Sequence, residues 1–175
     1  MTKRETIARR VTSDGMKDYG LIMMSEGDKS HSKDSRPGAS VSIEIVYAPA
    51  GADVIEVCEL ERHPSSAQAF FPLEGAAYVV IVCRSTPDDQ PDLNDLKAFV
   101  VPGNIIVQYH AGIWHAPIRM FGQASKLGMV VHKAERPDDC EFVSVPSFKV
   151  KLPQKKASAH SAGIRAAVDF CGSPK

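Results

Sequence analysis

The residues best equipped for chemistry are histidines and the acids beside them. The chain has His31, His63, His110, His115, His132 and His160. Three of these sit in informative strings. Glu59-x-Glu61-x-His63 aims two carboxylates and an imidazole at one face of an extended segment, because alternate residues of a strand share a face. His110-Ala111-Gly112-Ile113-Trp114-His115 separates two imidazoles by a turn glycine. Imidazole titrates near neutral pH, so His63 and His115 can exchange protons with a bound molecule, with Glu61 as a partner acid or base. The same imidazoles plus oxygen donors suit a divalent first-row metal such as nickel, manganese, iron or zinc. The ligand set would then be His63, Gln68 and His115, and His110 or Glu61 would do the proton work. Gln68, a neutral donor, lowers the charge of such a site, so a metal-free site in which the histidines act directly stands beside it. His31, His132 and His160 lie outside these strings and read as structural or solvated residues.

Far-separated segments must fold back to bring these groups together. Val41 to Ala48, Ala52 to His63, Gln68 to Pro72, Ala76 to Cys83, Lys97 to Val101, Ile105 to Tyr109, Leu127 to His132 and Cys140 to Val145 all read as strands. Turns at Pro49-Ala50-Gly51, Leu73-Glu74-Gly75 and Pro102-Gly103 punctuate them. Ala76 to Cys83 is continuously apolar, as in a strand covered on both faces. Strands recur about every ten residues without long helical periodicity, which predicts an antiparallel all-β sandwich or barrel. Short helical turns are expected over Ser13 to Tyr19, capped by Ser13 or Asp14, and over Leu93 to Leu96. The polar stretch Gly27 to Ser40 reads as a surface loop or a lid. In a closed barrel the inward face is a cavity wall, so Glu61 and His63 would line a ligand site.

Composition narrows the classes. The 175 residues suffice for one domain with a tail, and 21 basic residues balance 21 acidic ones, which gives no global pull toward nucleic acid or anionic membranes. The longest apolar run falls well short of the ~18–20 residues of a membrane span. Cys58, Cys83, Cys140 and Cys171 form no C-x-x-C pair and read as free thiols of a reducing compartment, so a cytoplasmic location is expected. Residues 1–145 are expected to form the domain. Residues 146–175 read as a basic extension carrying Lys149, Lys151, Lys155 and Lys156, with a terminal helix over Ile164 to Phe170 as an option.

The spacing also resembles the two cupin motifs. Glu61-x-His63-x4-Gln68-x6-Gly75 follows the first, with Glu61 at its first histidine and Gln68 at its glutamate, and His110-x-Gly112-x-x-His115 follows the second, with His110 in place of proline. Longer strings are similar to the ureidoglycolate lyase family: Glu59-Leu60-Glu61-Arg62-His63-Pro64 with Gln68-Ala69-Phe70 and Pro72, then Pro91-Asp92-Leu93 with Leu96-Lys97-Ala98-Phe99, then Tyr109-His110-x-Gly112-x-Trp114-His115-x-Pro117. They fall in the family's order, and weaker likeness runs from Tyr19 to Val145.

The resemblance implies a cupin-like antiparallel β-barrel or jelly roll with few short helices, present as a homodimer. It implies a carbon–nitrogen lyase of the amidine-lyase type, cleaving (S)-ureidoglycolate to glyoxylate and urea in allantoin and purine degradation, with nickel as the metal usually associated. For that reaction the candidate catalytic set is His115, His63, Glu61 and His110. Gln68, Tyr109 and Trp114 would contact substrate, Trp114 as a wall beside the site. Arg62, Lys97 and Arg119 are the cations available to a substrate carboxylate, although alternation turns Arg62 away from His63. The family usually shows an Asp-Arg pair where this chain has His132-Lys133, which keeps two other readings open: another cupin enzyme acting on a small hydroxy acid or sugar acid, and a non-catalytic cupin that binds a small acid.

Overall fold

The computed structural model describes residues 5–154. Thirteen strands follow one another as β1 (Glu5–Ile7), β2 (Arg9–Arg10), β3 (Gly20–Met23), β4 (Ser40–Ala48), β5 (Val54–Arg62), β6 (Gln68–Pro72), β7 (Tyr78–Cys83), β8 (Lys97–Val101), β9 (Ile106–Tyr109), β10 (Trp114–His115), β11 (Arg119–Met120), β12 (Ser125–Lys133) and β13 (Glu141–Lys151). The helix α1 (Ser13–Met16) and a 3-10 turn at Pro137–Asp139 complete the described elements. This is the expected all-β, cupin-like barrel.

The strands form two sheets. The larger runs β1-β13-β5-β10-β7-β8-β2, with β11 also on β7, and the smaller runs β3-β9-β6-β12-β4. Most pairings are antiparallel, while β1 and β2 join β13 and β8 in parallel. Between the sheets lies a core that includes Phe70, Tyr78, Val80, Val82, Val101, Val107 and Leu127. A second cluster, on the other face of the larger sheet, holds Ile55, Val57, Leu60, Val79, Ile81, Trp114 and Phe148. Strand β7 is therefore buried on both faces, as its unbroken apolar run requires.

One local irregularity matters for the site. Val57 and Leu60 both face the second cluster although their spacing is odd. The β13–β5 register shifts between Ser144 and Phe148, opposite this point. Across this irregularity the alternation of β5 reverses, so Ile55 and Val57 face away from the interior while Glu61, of the same parity, faces into it.

Gly20 is required by a close approach. A Cβ there would lie 2.0 Å from the Gln108 carbonyl oxygen, so only glycine lets β3 close on β9 beside Tyr109.

Several expectations need revision. The strand expected at Cys140 to Val145 runs on to Lys151, and Phe148 and Val150 are buried. Residues 146–151, assigned from sequence to the basic extension, are thus part of the sheet. Lysines 149 and 151 alternate with apolar residues, a strand pattern that the positive charge masks. Residues 155–175, with the terminal helix option, lie outside the described residues. Leu93 to Leu96 forms no helix, and the cap of α1 is Thr12, whose side chain accepts from Gly15 N–H. Strands β1, β2, β3, β10 and β11 are not among the strands the sequence predicts: each is too short to show a period.

Candidate functional site

The site is assembled from two cross-strand pairs and one loop-end histidine. Glu61 and His115 are register partners on β5 and β10. Gln68 and Tyr109 are register partners on β6 and β9. Directly opposed residues project to the same face, so each sheet presents one pair to the interior. The pairs meet where the Tyr109 and His115 rings approach with centroids 4.6 Å apart. His63, just past the end of β5, stacks on His115 with centroids 5.9 Å apart and planes 26° from parallel. Gly112, at φ 77°, turns the chain between β9 and β10, and its N–H donates to the His63 carbonyl at 2.8 Å. This bond ties the segment carrying His115 to the one carrying His63.

Among the described residues, the buried side-chain atoms without a hydrogen-bond partner in the protein are His63 Nε2, Gln68 Oε1, Tyr109 Oη and His115 Nε2. Buried polar groups are ordinarily paired, and leaving one unmade costs about 1–3 kcal/mol. Four orphans on this one cluster of contacting residues mark a surface built to receive a polar molecule. His115 Nε2 does lie 3.3 Å from Glu61 Oε1, within ion-pair reach but off the line of a hydrogen bond. Of the orphan-bearing residues Gln68 lines a cavity of about 190 Å³, together with Glu61, Phe70, Ile118, Arg119 and Met129. That is smaller than the ~300–1,000 Å³ of drug-sized sites and suits a small acid. A roomier hollow of about 450 Å³ lies on the opposite face of the smaller sheet and includes none of the orphaned groups.

Proton positions follow from the partners. The carbonyls of Asp139 and Ile113 lie 2.8 Å from His63 Nδ1 and 2.9 Å from His115 Nδ1. A carbonyl only accepts, so each Nδ1 carries a proton. Burial is the main force lowering the His63 pKa below its ordinary 6.5, and the neighbouring His115 and Lys133 add to it. Neutral His63 therefore offers a bare Nε2 to the interior. His115 Nε2 faces the Glu61 carboxylate at 3.3 Å. For Glu61, burial pushes the carboxyl upward, but the His115 ring 3.3 Å away, with lesser help from His63 and Cys140, outweighs it and leaves the pKa lowered. Burial first, then Glu61, pushes the Cys140 thiol up to about 12, so it stays protonated 3.9 Å from Glu61 Oε2. Tyr109 is held well above 10 by burial and keeps its proton.

Five of the seven site residues read from sequence converge here: Glu61, His63, Gln68, Tyr109 and His115. Two do not. His110 is exposed, and its Nε2 lies 3.2 Å from the Lys17 carbonyl. It follows Tyr109 at the strand end, and alternation turns it outward as Tyr109 turns in. Trp114 faces the second cluster, donates to Ser85 Oγ at 3.1 Å and lies under the Arg62 guanidinium at 4.4 Å. Arg62 in turn is held by Asp89 and Glu141. Of the other cations, Lys97 is exposed on β8, whereas Arg119 lines the cavity. Lys133 is ion-paired with Glu44, and His132 lies 3.4 Å from Ser32 Oγ. The sequence reading missed the Asp139 carbonyl, which carries no side-chain signature, and the Cys140 thiol at the edge of the site.

Among the described residues no three His, Cys, Asp or Glu side chains are grouped to hold an ion. The trio His63, Gln68 and His115 supplies two imidazoles and one neutral amide, with the Glu61 carboxylate already set against His115.

Comparison with known proteins agrees with the motif reading. Proteins called ureidoglycolate lyase from Salmonella paratyphi B and Salmonella typhimurium are each 39% identical over 108 residues, and one from Salmonella enteritidis is 38% identical over the same length. The match takes in 62% of this chain and spans 65% of the length of each relative. A capsular polysaccharide assembling protein, CapF, from Staphylococcus aureus aligns in structure over 73% of this chain and 30% of its own, at 20% identity and a TM-score of 0.41, too distant to inform the site. The sequence model of the family described as ureidoglycolate lyase matches residues 25–152, which include every residue of the site, and the chain belongs to the ureidoglycolate lyase family.

Proposed function

We propose that this protein eliminates urea from (S)-ureidoglycolate to leave glyoxylate, within allantoin and purine degradation. The observation that carries the reading is the set of four orphaned polar atoms beside Glu61, all on residues within the stretch that the family model matches. In ureidoglycolate one carbon bears a hydroxyl, a carboxylate and a urea nitrogen. Cleavage takes the proton from the hydroxyl, forms the carbonyl, breaks the carbon–nitrogen bond toward nitrogen and returns a proton there. That chemistry is of the carbon–nitrogen, amidine-lyase type. It needs one group ready to accept a proton and another ready to give one.

His63, with its bare Nε2, is the base. The His115–Glu61 pair is the acid. Tyr109 Oη donates to a substrate oxygen, and Gln68 Oε1 accepts from the urea N–H groups. Arg119, lining the cavity, meets the substrate carboxylate. No step here is routed through a metal; an ion would be held by His63, Gln68 and His115, whose orphaned atoms belong to one cluster, and would polarise the substrate oxygens.

A homodimer is part of the proposal. Strand β4 lies at the edge of its sheet, and its outward side chains Val41, Ile43, Ile45 and Tyr47 are 56%, 79%, 72% and 69% exposed. A nine-residue edge with an apolar stripe calls for a cover. A second copy fits, since a two-fold axis would set the stripe against itself. Cytoplasmic residence is consistent with the free thiols of Cys58, Cys83 and Cys140, and no helix among the described residues is long and apolar enough to cross a membrane.

The test is glyoxylate and urea release from ureidoglycolate by the purified protein, before and after a chelator. Equal turnover in both supports the reading. Dependence on added nickel overturns the metal-independent mechanism, and activity confined to other hydroxy acids overturns the substrate.

A further inference from the structure

We propose that Arg36, on the segment between β3 and β4, is a positioning residue for His63. The chain of contacts is continuous. Arg36 Nη2 reaches Asp34 Oδ2 at 2.6 Å and Asp139 Oδ1 at 2.8 Å. The Asp34 side chain is wholly buried, and those of Arg36 and Asp139 are each 13% exposed. Arg36 Nη1 lies 3.5 Å from the Asp138 carbonyl. The Asp139 carboxylate also accepts from the backbone N–H of Ala134 and Arg136, which closes the Pro137–Asp139 turn. The backbone carbonyl of the same Asp139 accepts from His63 Nδ1 at 2.8 Å.

The physical consequence concerns tautomer and aim. A neutral imidazole has one N–H, and the bond to the Asp139 carbonyl decides that it sits on Nδ1. That leaves the Nε2 lone pair facing the interior. The carbonyl holds the ring only if its turn is fixed, and the Arg36 fork fixes the turn from outside by bridging two carboxylates. The stretch Gly27 to Ser40, which reads from sequence as a surface loop or a lid, is on this account a brace. Ser32 Oγ, 3.4 Å from His132 Nδ1, anchors it a second time.

The inference rests on the assignment of His63 as the base, so its test has a readout separate from turnover. Two-bond nitrogen–proton correlation spectra distinguish the two imidazole tautomers. Wild-type protein above pH 7 should show His63 as Nδ1–H. In Arg36→Ala the His63 signals should move to a tautomer mixture. The kcat for ureidoglycolate should fall roughly 10- to 100-fold, the scale of a misplaced catalytic group, with KM changed less than about three-fold. Arg36→Lys keeps the charge without the fork and should recover only part of both. It also serves as the test variant if Arg36→Ala fails to fold. A single Nδ1–H tautomer and unchanged kcat in the folded variants would overturn the proposal. A tautomer shift in a protein whose wild type releases no urea would support the brace and refute the substrate.

Discussion

Tyr109 and His115 touch across the interior, with ring centroids 4.6 Å apart, although they belong to different sheets. The contact closes the site, and it leaves the tyrosine hydroxyl buried without a partner. Such a hydroxyl is a cost to folding that is recovered only when a ligand accepts its hydrogen bond. Tyr109→Phe should therefore leave thermal stability unchanged or raise it by up to about 1 kcal/mol. The same change should lower kcat/KM roughly ten-fold, the loss of one substrate hydrogen bond. Denaturant melts and steady-state kinetics on the same preparation check both. A variant that is less stable and fully active would show that Tyr109 is only packing.

His115→Ala and His63→Ala each remove one side of the proton exchange. Each should lose about 10²- to 10⁴-fold in rate, the range of general acid or base catalysis. Because the two act on one substrate, the double variant should be little worse than either single one. His110→Ala, at an exposed position, should keep nearly full activity. A glyoxylate-release assay decides, and unchanged turnover in His115→Ala would refute the site.

The pH dependence has a definite sign. The base works when neutral, and burial lowers His63 below its ordinary 6.5. The rate should hold as pH falls through 6.5 and decline only below it, at the folded-state pKa of His63. Stability moves in the same direction. The unfolded chain binds the His63 proton first, so the stability that neutral burial carries is present above 6.5 and shrinks as pH drops toward the folded value. Glu61, lowered from 4.5, adds stability that is present above 4.5 and lost as pH falls through its lower folded value. A rate already halved at pH 7 would contradict this arrangement.

The β4 edge yields a separate prediction. Ile45→Lys places a charge in the middle of the exposed apolar stripe. A stable dimer needs roughly 1,200 Å² or more of total buried surface, and a central lysine would be stranded within it. Sedimentation should show wild type at about twice the chain mass and Ile45→Lys at the chain mass, with an unchanged circular dichroism spectrum. A dimer that persists in the variant would place the interface elsewhere.

The one-dimensional pattern determined much of this molecule. Strands β4 to β9 announce themselves through alternation or continuous apolar runs bounded by Pro and Gly turns. The Glu61, His63, Gln68 and His115 motif spacing pointed to the site, because residue type and parity are local properties. Three things were not local. The reversal between Val57 and Leu60 sits where the pairing of β5 with β13 shifts register, and pairing partners cannot be read from one strand. Tyr109 and His110 are equally plausible neighbours in sequence, and only the fold of β9 against β6 turned one inward. The brace joining Arg36, Asp139 and His63 uses a backbone carbonyl and residues from three distant segments. Every residue has such a carbonyl, so composition and spacing are silent about which one will be used. Tertiary structure decides it, by bringing one acceptor within hydrogen-bond distance of one ring nitrogen.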